Sequence, residues 1–245
     1  MAPSLPFFLR SSLSRKEGGV IAAHHTAMRG GKAAYLQADG IVWIDTGVPV
    51  SMNYAVRCKG QVVSFGGNND CALFGFWFRT SSGDDGGAGS GREFMQRVFP
   101  SVRSDVYGVR AQTSNGTTGS AILFSEADPF AVHEVYAGFG TISVDGRTQT
   151  GNWASWTTSG GAKQHLFGVH QTNPVDQAQN HHAQQTATSC IRIWSATWED
   201  ANGNLVRDFV PKVVGGQAGM FDRVTQTFFG PASASSGVFS IGTGA

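Results

Sequence analysis

The sequence predicts an all-β chain: two packed antiparallel sheets, as in a sandwich or jelly roll. Apolar residues alternate or cluster in runs of about 4–8, bounded by Gly, Asn, Asp and Ser. Turn signals recur at roughly 8–12-residue spacing. Glycine supplies 33 of the 245 residues and charged residues only 14%, so turns are plentiful and charged helix faces scarce. A chain of this length holds one large β domain or two small ones and can bury a sizeable core. No internal repeat is present.

The elements follow in order. Residues 1–32 read as an extended N-terminal arm ending at "MRGGK", and 33–245 as the folded domain. The arm carries Pro3 and Pro6 and the apolar run Phe7, Phe8, Leu9, which suits contact with a neighbouring subunit. "LPFFL" is too short for a secretory h-region and lacks a basic segment before it; Arg10, Arg15 and Lys16 among serines only faintly resemble a transit peptide. One strand is expected around Ile41–Ile44, with a turn at Asp45–Gly47. The next runs from Tyr54 to Phe65 with a break at Gly60. "DCALFGFWFRT" carries aromatics on both faces and reads as a central strand. Residues 81–93 are a loop by composition. "SDVYGVRAQTS" and "SAILFSE" are strands. "HEVYAGFGTISVDGRTQTG" is two strands, the second entering a hairpin at Asp145–Gly146. "KQHLFGVHQTN" is one strand, and 174–189 a polar loop. "IRIWSATWEDANGNLVRDFVP" (191–211) is a hairpin, with short strands after it.

Composition removes several classes. The formal charge is +1 with Lys and Arg scattered, so no nucleic-acid surface is expected. No run approaches the roughly 20 apolar residues of a membrane span. Cys58, Cys71 and Cys190 are odd in number, which argues for buried free thiols made in a reducing cytoplasm and against a disulfide framework.

Glu199, Asp200, Asn202 and Asn204 sit at a hairpin tip. A calcium loop started at Asp200 would place Leu205 where Gly is needed and Pro211 where a bidentate acid is needed, so it fails. Asn202–Gly203 instead predicts a type I′ turn. Glu126 and Asp128 have the i, i+2 spacing of a glycosidase pair, but Pro129 and Phe130 follow and no third acid is in register. His24–His25, His181–His182, His133, His165 and His170 lack acids or thiols at metal spacing and read as polar loop or arm residues; no metal is expected. Trp153 and Trp156, among Gly, Asn, Ser and Thr, are the candidate ligand contacts, since indoles stack on sugar faces. Trp194, Ala196 and Trp198 share strand parity and should line one face as core.

Three blocks carry a resemblance. "AAYLQADGIVWIDTGVPVSMNYAVRCKGQV" holds an Ile44-Asp45-Thr46-Gly47 turn followed by Pro49. "HLFGVHQTN" is a Leu-Phe strand before a polar loop. "IRIWSATWEDANGNLVRDFVP" followed by "AGMFDRVTQTFF" is a closing hairpin with Val-Arg-Asp-Phe-Val-Pro and Gly-Met-Phe-Asp segments. Together, in this order over about residues 34–240, they resemble the laminin-G-like, concanavalin-like jelly-roll family. Lys212 stands after the proline where that family often has Cys or a polar residue. The resemblance implies the kind of domain that recurs in bacteriophage virion and tail proteins. The expected protein is non-enzymatic, a capsid-decorating, head-fibre or tail-associated subunit. It needs no cofactor, assembles with itself, often as a trimer, and with other virion proteins, and is found in the virion after cytoplasmic assembly. The alternative is a carbohydrate-binding module that reads host glycans through Trp153 and Trp156.

Overall fold

The computed structural model describes residues 34–67, 69–79, 93–115, 119–150, 162–172, 181–183, 188–232 and 235–244. All belong to the unit Lys32–Ala245. The arm residues Phe7, Phe8 and Leu9 lie outside the described residues, as do Trp153, Trp156 and the loop at 81–92.

The chain is all-β, with eighteen strands among the described residues where the sequence suggested about a dozen. The first strands are β1 (Ala34–Asp39), β2 (Ile44–Pro49), β3 (Tyr54–Ser64), β4 (Phe74–Arg79), β5 (Glu93–Arg103) and β6 (Val106–Asn115). Then come β7 (Gly119–Phe124), β8 (His133–Gly138), β9 (Thr141–Val144), β10 (Arg147–Thr150), β11 (Lys163–Leu166) and β12 (Val169–Thr172). The last are β13 (His181–Ala183), β14 (Cys190–Asp200), β15 (Leu205–Val214), β16 (Gln217–Asp222), β17 (Thr227–Phe229) and β18 (Val238–Thr243).

They form two sheets. The first runs β10-β9-β8-β3-β14-β15-β16-β17, and β14 also pairs with β1, which pairs with β18. The second runs β13-β12-β4-β5-β6-β7, with β11 on β4 and β2 on β11. Pairing is antiparallel except between β12 and β4.

Strand alternation sorts side chains onto the two faces, and register then stacks like with like. One row of the second sheet reads Ile122, Ala111, Val98, Phe74, Leu166, Ile44 across six strands. All six lie in or against the main core. On the first sheet the facing row reads Val144, Val135, Cys58, Ala196, Phe209. Side chains of both sheets join one buried cluster, so the sheets pack face to face. Fully burying a side chain such as Phe74 or Phe209 stabilises by about 1.5–3 kcal/mol, so these rows supply much of the driving force.

Several expectations are corrected. The first β strand after β1 is Ile44–Pro49, not Ile41–Ile44, because Asp45 and Leu166's partner Ile44 enter the ladder of β11. β3 does not break at Gly60; it runs through, with the Leu73 side chain lying over the missing Cβ. "KQHLFGVHQTN" is two strands, because Phe167 and Gly168 both take positive φ and reverse the chain. His181–Ala183, expected in a loop, pairs with β12.

The most instructive correction concerns Trp194. The β14–β3 register slips between Ile193 and Ser195. One extra residue inverts parity beyond it. Ile191 and Ile193 face the core before the slip, and Ala196 and Trp198 face it after. Trp194 therefore lies on the opposite face from Trp198, outside the main core cluster but still buried at 7% exposure, its ring 5.1 Å from Tyr35, and its Nε1 donates to the Gly244 carbonyl at 3.3 Å. Trp198 is fully buried between Phe74 and Phe209, and its Nε1 donates to Gln164 Oε1 at 3.0 Å.

Candidate functional site

The apolar rows of the first sheet end in charge. The row through Ala196 and Phe209 ends at Asp222, with no exposed surface. The neighbouring row of Ile142, Ala137, Val56 and Trp198 ends at Arg207. Arg207 Nε lies 3.6 Å from Asp222 Oδ2. A buried charge is tolerable only when paired and hydrogen-bonded, and here both are. Asp222 Oδ1 accepts from the amides of Asp208 (2.8 Å) and Val224 (3.1 Å), and Oδ2 from the Thr225 hydroxyl (2.6 Å) and amide (3.3 Å). Arg207 donates from Nε to the Thr46 carbonyl at 3.0 Å, tying the first sheet to β2 of the second.

Each charged residue has a neighbour of opposite sign that pairs in the reverse sense. Asp208 receives Arg223 in a forked contact, both bonds at 2.9 Å. The dipeptides Arg207-Asp208 and Asp222-Arg223 thus clasp reciprocally across β15 and β16. This clasp explains the spacing of the Val-Arg-Asp-Phe-Val-Pro and Gly-Met-Phe-Asp segments. The Ile44-Asp45-Thr46-Gly47 segment, expected as a turn but part of strand β2, joins it. Gly47 has φ +70°, and a Cβ there would stand 3.1 Å from Arg207 Nη2. The Asp45 carboxylate accepts the Gly47 amide at 2.9 Å, and the Thr46 hydroxyl donates to the Gln164 carbonyl at 2.8 Å. Leu166 of the "HLFG" block pairs with Ile44. Two blocks distant in sequence thus meet at the clasp, and the third pairs with β2 beside it.

The polar tip is turn chemistry of a different kind from the one expected. A type I′ turn needs positive φ at both central residues. Gly203 has φ +77° but Asn202 does not share it. The Gly203 amide donates to the Asp200 carbonyl at 2.9 Å and the Asp200 amide to the Asn204 carbonyl at 3.0 Å. This is a three-residue loop, a type I turn closed by a left-handed glycine. Asp200 organises it: its carboxylate accepts the Asn202 amide (2.8 Å), the Asn204 amide (2.9 Å) and the Asn204 side chain (2.9 Å). The Asn204 side chain, then its backbone amide, hold the Asp200 carboxyl below its ordinary range. Positive φ at both central residues does occur at Asp145–Gly146, where a hairpin was expected.

Glu126 and Asp128 lie on the exposed turn after β7. Glu126 is ion-paired with Arg147, and Asp128 Oδ1 accepts the Phe130 amide at 3.0 Å. Three histidines expected in loops, His133, His165 and His170, are instead buried, whereas His24 and His25 lie outside the described residues. His133 bridges the Asp145 carboxylate (2.7 Å) and the Asp128 carbonyl (2.6 Å). The His165 and His170 rings lie 4.6 Å apart, and His165 is also 5.8 Å from the Trp43 ring. Among the described residues no three His, Cys, Asp or Glu side chains converge as a metal-binding group.

The thiols are free. Cys58 and Cys71 are buried as expected, whereas Cys190 is only half-buried, on the outward side beside Asp39. Burial pushes Cys71 up to about 11, and burial with a hydrogen bond to Asp39 pushes Cys190 up to about 12.

A second cluster escaped the sequence. The Arg97 guanidinium, almost fully buried, lies 4.8 Å from the Trp77 ring centre and 4.9 Å from that of Phe99, and its Nε donates to Gln112 Oε1 at 2.9 Å. The only prior signal was aromatics on both faces of "FGFWF".

The chain matches no family model, no curated protein and no solved structure.

Proposed function

We propose that the chain is a jelly-roll domain of the laminin-G-like kind, preceded by an extended arm, that serves as a non-enzymatic structural subunit of a bacteriophage particle. One observation carries this reading. Two of the three blocks behind the resemblance, far apart in sequence, converge on the Arg207–Asp222 clasp and its Thr46–Gly47 support, and the other pairs with the strand that carries this support. Their charged and polar side chains hold strands together, as a structural module requires. The acids that looked catalytic or metal-binding are likewise engaged, Asp200 with its own turn and Glu126 with Arg147. Activity then belongs to surfaces that meet other subunits, and Phe7, Phe8 and Leu9 of the arm supply the apolar contact.

The test is assembly. The full chain and a variant lacking residues 2–30 are supplied to particles forming without the native copy. The full chain should be incorporated at a fixed copy number and sediment as a homo-oligomer, and the truncated chain should do neither. Equal incorporation of both would overturn the arm's role. Absence of the full chain from particles, with saturable glycan binding lost in Trp153→Ala or Trp156→Ala, would favour the carbohydrate-binding alternative. Polysaccharide hydrolysis abolished by Glu126→Gln would overturn the non-enzymatic reading.

A further inference from the structure

Asn-Gly is the dipeptide in which an asparagine side chain is most open to attack by the next backbone nitrogen, because glycine offers no side-chain hindrance. Asparagine is accordingly among the thermolabile residues. Asn202–Gly203 stands at an exposed tip, with Ala201, Asn202, Gly203 and Asn204 all in contact with solvent. Water and base reach it freely, yet the turn occupies the nitrogen that would attack. The nucleophile would be the Gly203 nitrogen, whose N–H is donated to the Asp200 carbonyl at 2.9 Å. The Asn202 backbone N–H is fixed on Asp200 Oδ1 at 2.8 Å, and Asn204 is held to the same carboxylate through backbone and side chain, so the main chain on both sides of Gly203 is pinned.

We propose that Asn202 is a deamidation site that the folded turn keeps closed, with Asp200 as its guard. In the step that is held back, the Gly203 nitrogen loses its proton and bonds to Asn202 Cγ. The Cγ–Nδ2 bond breaks and ammonia leaves, giving a five-membered succinimide. Water then adds to one of its two carbonyls, opening the ring to aspartate or isoaspartate; nothing is oxidised or reduced. Reaching the succinimide requires the Gly203 N–H to leave the Asp200 carbonyl, so the rate follows local opening of the turn. An isoaspartate would put an extra methylene into the main chain of a three-residue loop and break the β14–β15 register at its tip.

The experiment incubates the full chain in mildly alkaline buffer, native and in urea. Conversion at residue 202 is followed by peptide mass spectrometry, with isoaspartate separated from aspartate by chromatography. Native conversion should be at least about tenfold slower than in urea, as expected for a reaction gated by local opening. In folded Asp200→Ala it should rise severalfold, with Asn204→Ala in between. Equal rates in the native and denatured chains would overturn the proposal. So would an unchanged rate in a folded Asp200→Ala variant, with circular dichroism reporting folding. If that variant does not fold, the native and denatured wild-type rates decide alone.

Discussion

Asp200 and Asp222 belong to the same closing stretch and use the same chemistry, yet their settings are opposite. Each accepts backbone amides and fixes a turn. Asp200 does so in solvent, and its charge costs little to hold. Asp222 does so with no exposed surface, at the end of an apolar row, and depends on Arg207. An acid that looks like a site from its neighbours in sequence can be a turn organiser in either place. Only the buried one is indispensable, because its partners would be left unsatisfied without it.

The comparison breaks hardest at the buried end. Asp222→Ala should destabilise the fold by about 3–5 kcal/mol, the usual cost of removing one partner of a buried ion pair. Urea unfolding checks this, and Arg207→Ala combined with it should cost clearly less than the sum of the two singles. Trp198→Ala should lose about 3 kcal/mol or more, since it empties a filled site between Phe74 and Phe209. Trp194→Ala, on the outward side of the slip, should lose distinctly less in the same assay.

The solvent-facing half of the clasp sharpens the contrast. Arg223→Ala removes a partly exposed pair with Asp208 and should cost only about 0.2–1 kcal/mol, diminishing further as salt is raised. Asp200→Ala should shift the melting temperature least of all. Its carboxyl titrates below the ordinary aspartate value of about 3.9, so its small contribution is complete above that value and is lost as pH falls through the lower folded value. Carboxyl NMR should place the Asp200 midpoint below that of free aspartate, and Asn204→Ala should move it back upward.

Much of this architecture was legible in the sequence. Alternation located β3, β6, β7 and β14, and Asp145–Gly146 marked its hairpin. Features that depend on register were not legible. Nothing in "IRIWSATWED" announces that the ladder slips at Trp194, so parity placed both tryptophans on one face. The chemistry of Asn202–Gly203 named a hairpin correctly but not its loop length, because Asp200 captures the Asn202 and Asn204 amides and favours the longer turn. The Arg207–Asp222 clasp joins residues on separate strands and has no signal within either strand. The same holds for Arg97 between Trp77 and Phe99. The tryptophans at 153 and 156 and the arm at Phe7–Leu9 lie outside the described residues and rest on sequence alone.

β1 has its place between β14 and β18, with Ala34 opposite Thr243. The first strand of the domain is therefore completed only by the last. During synthesis, β1 must wait unpaired on one side until nearly the whole domain has left the ribosome. Such long-range closure makes folding slow and exposes strand edges in the interval. The nascent chain is thus most vulnerable to mispairing with another copy before the Val238–Thr243 strand is made.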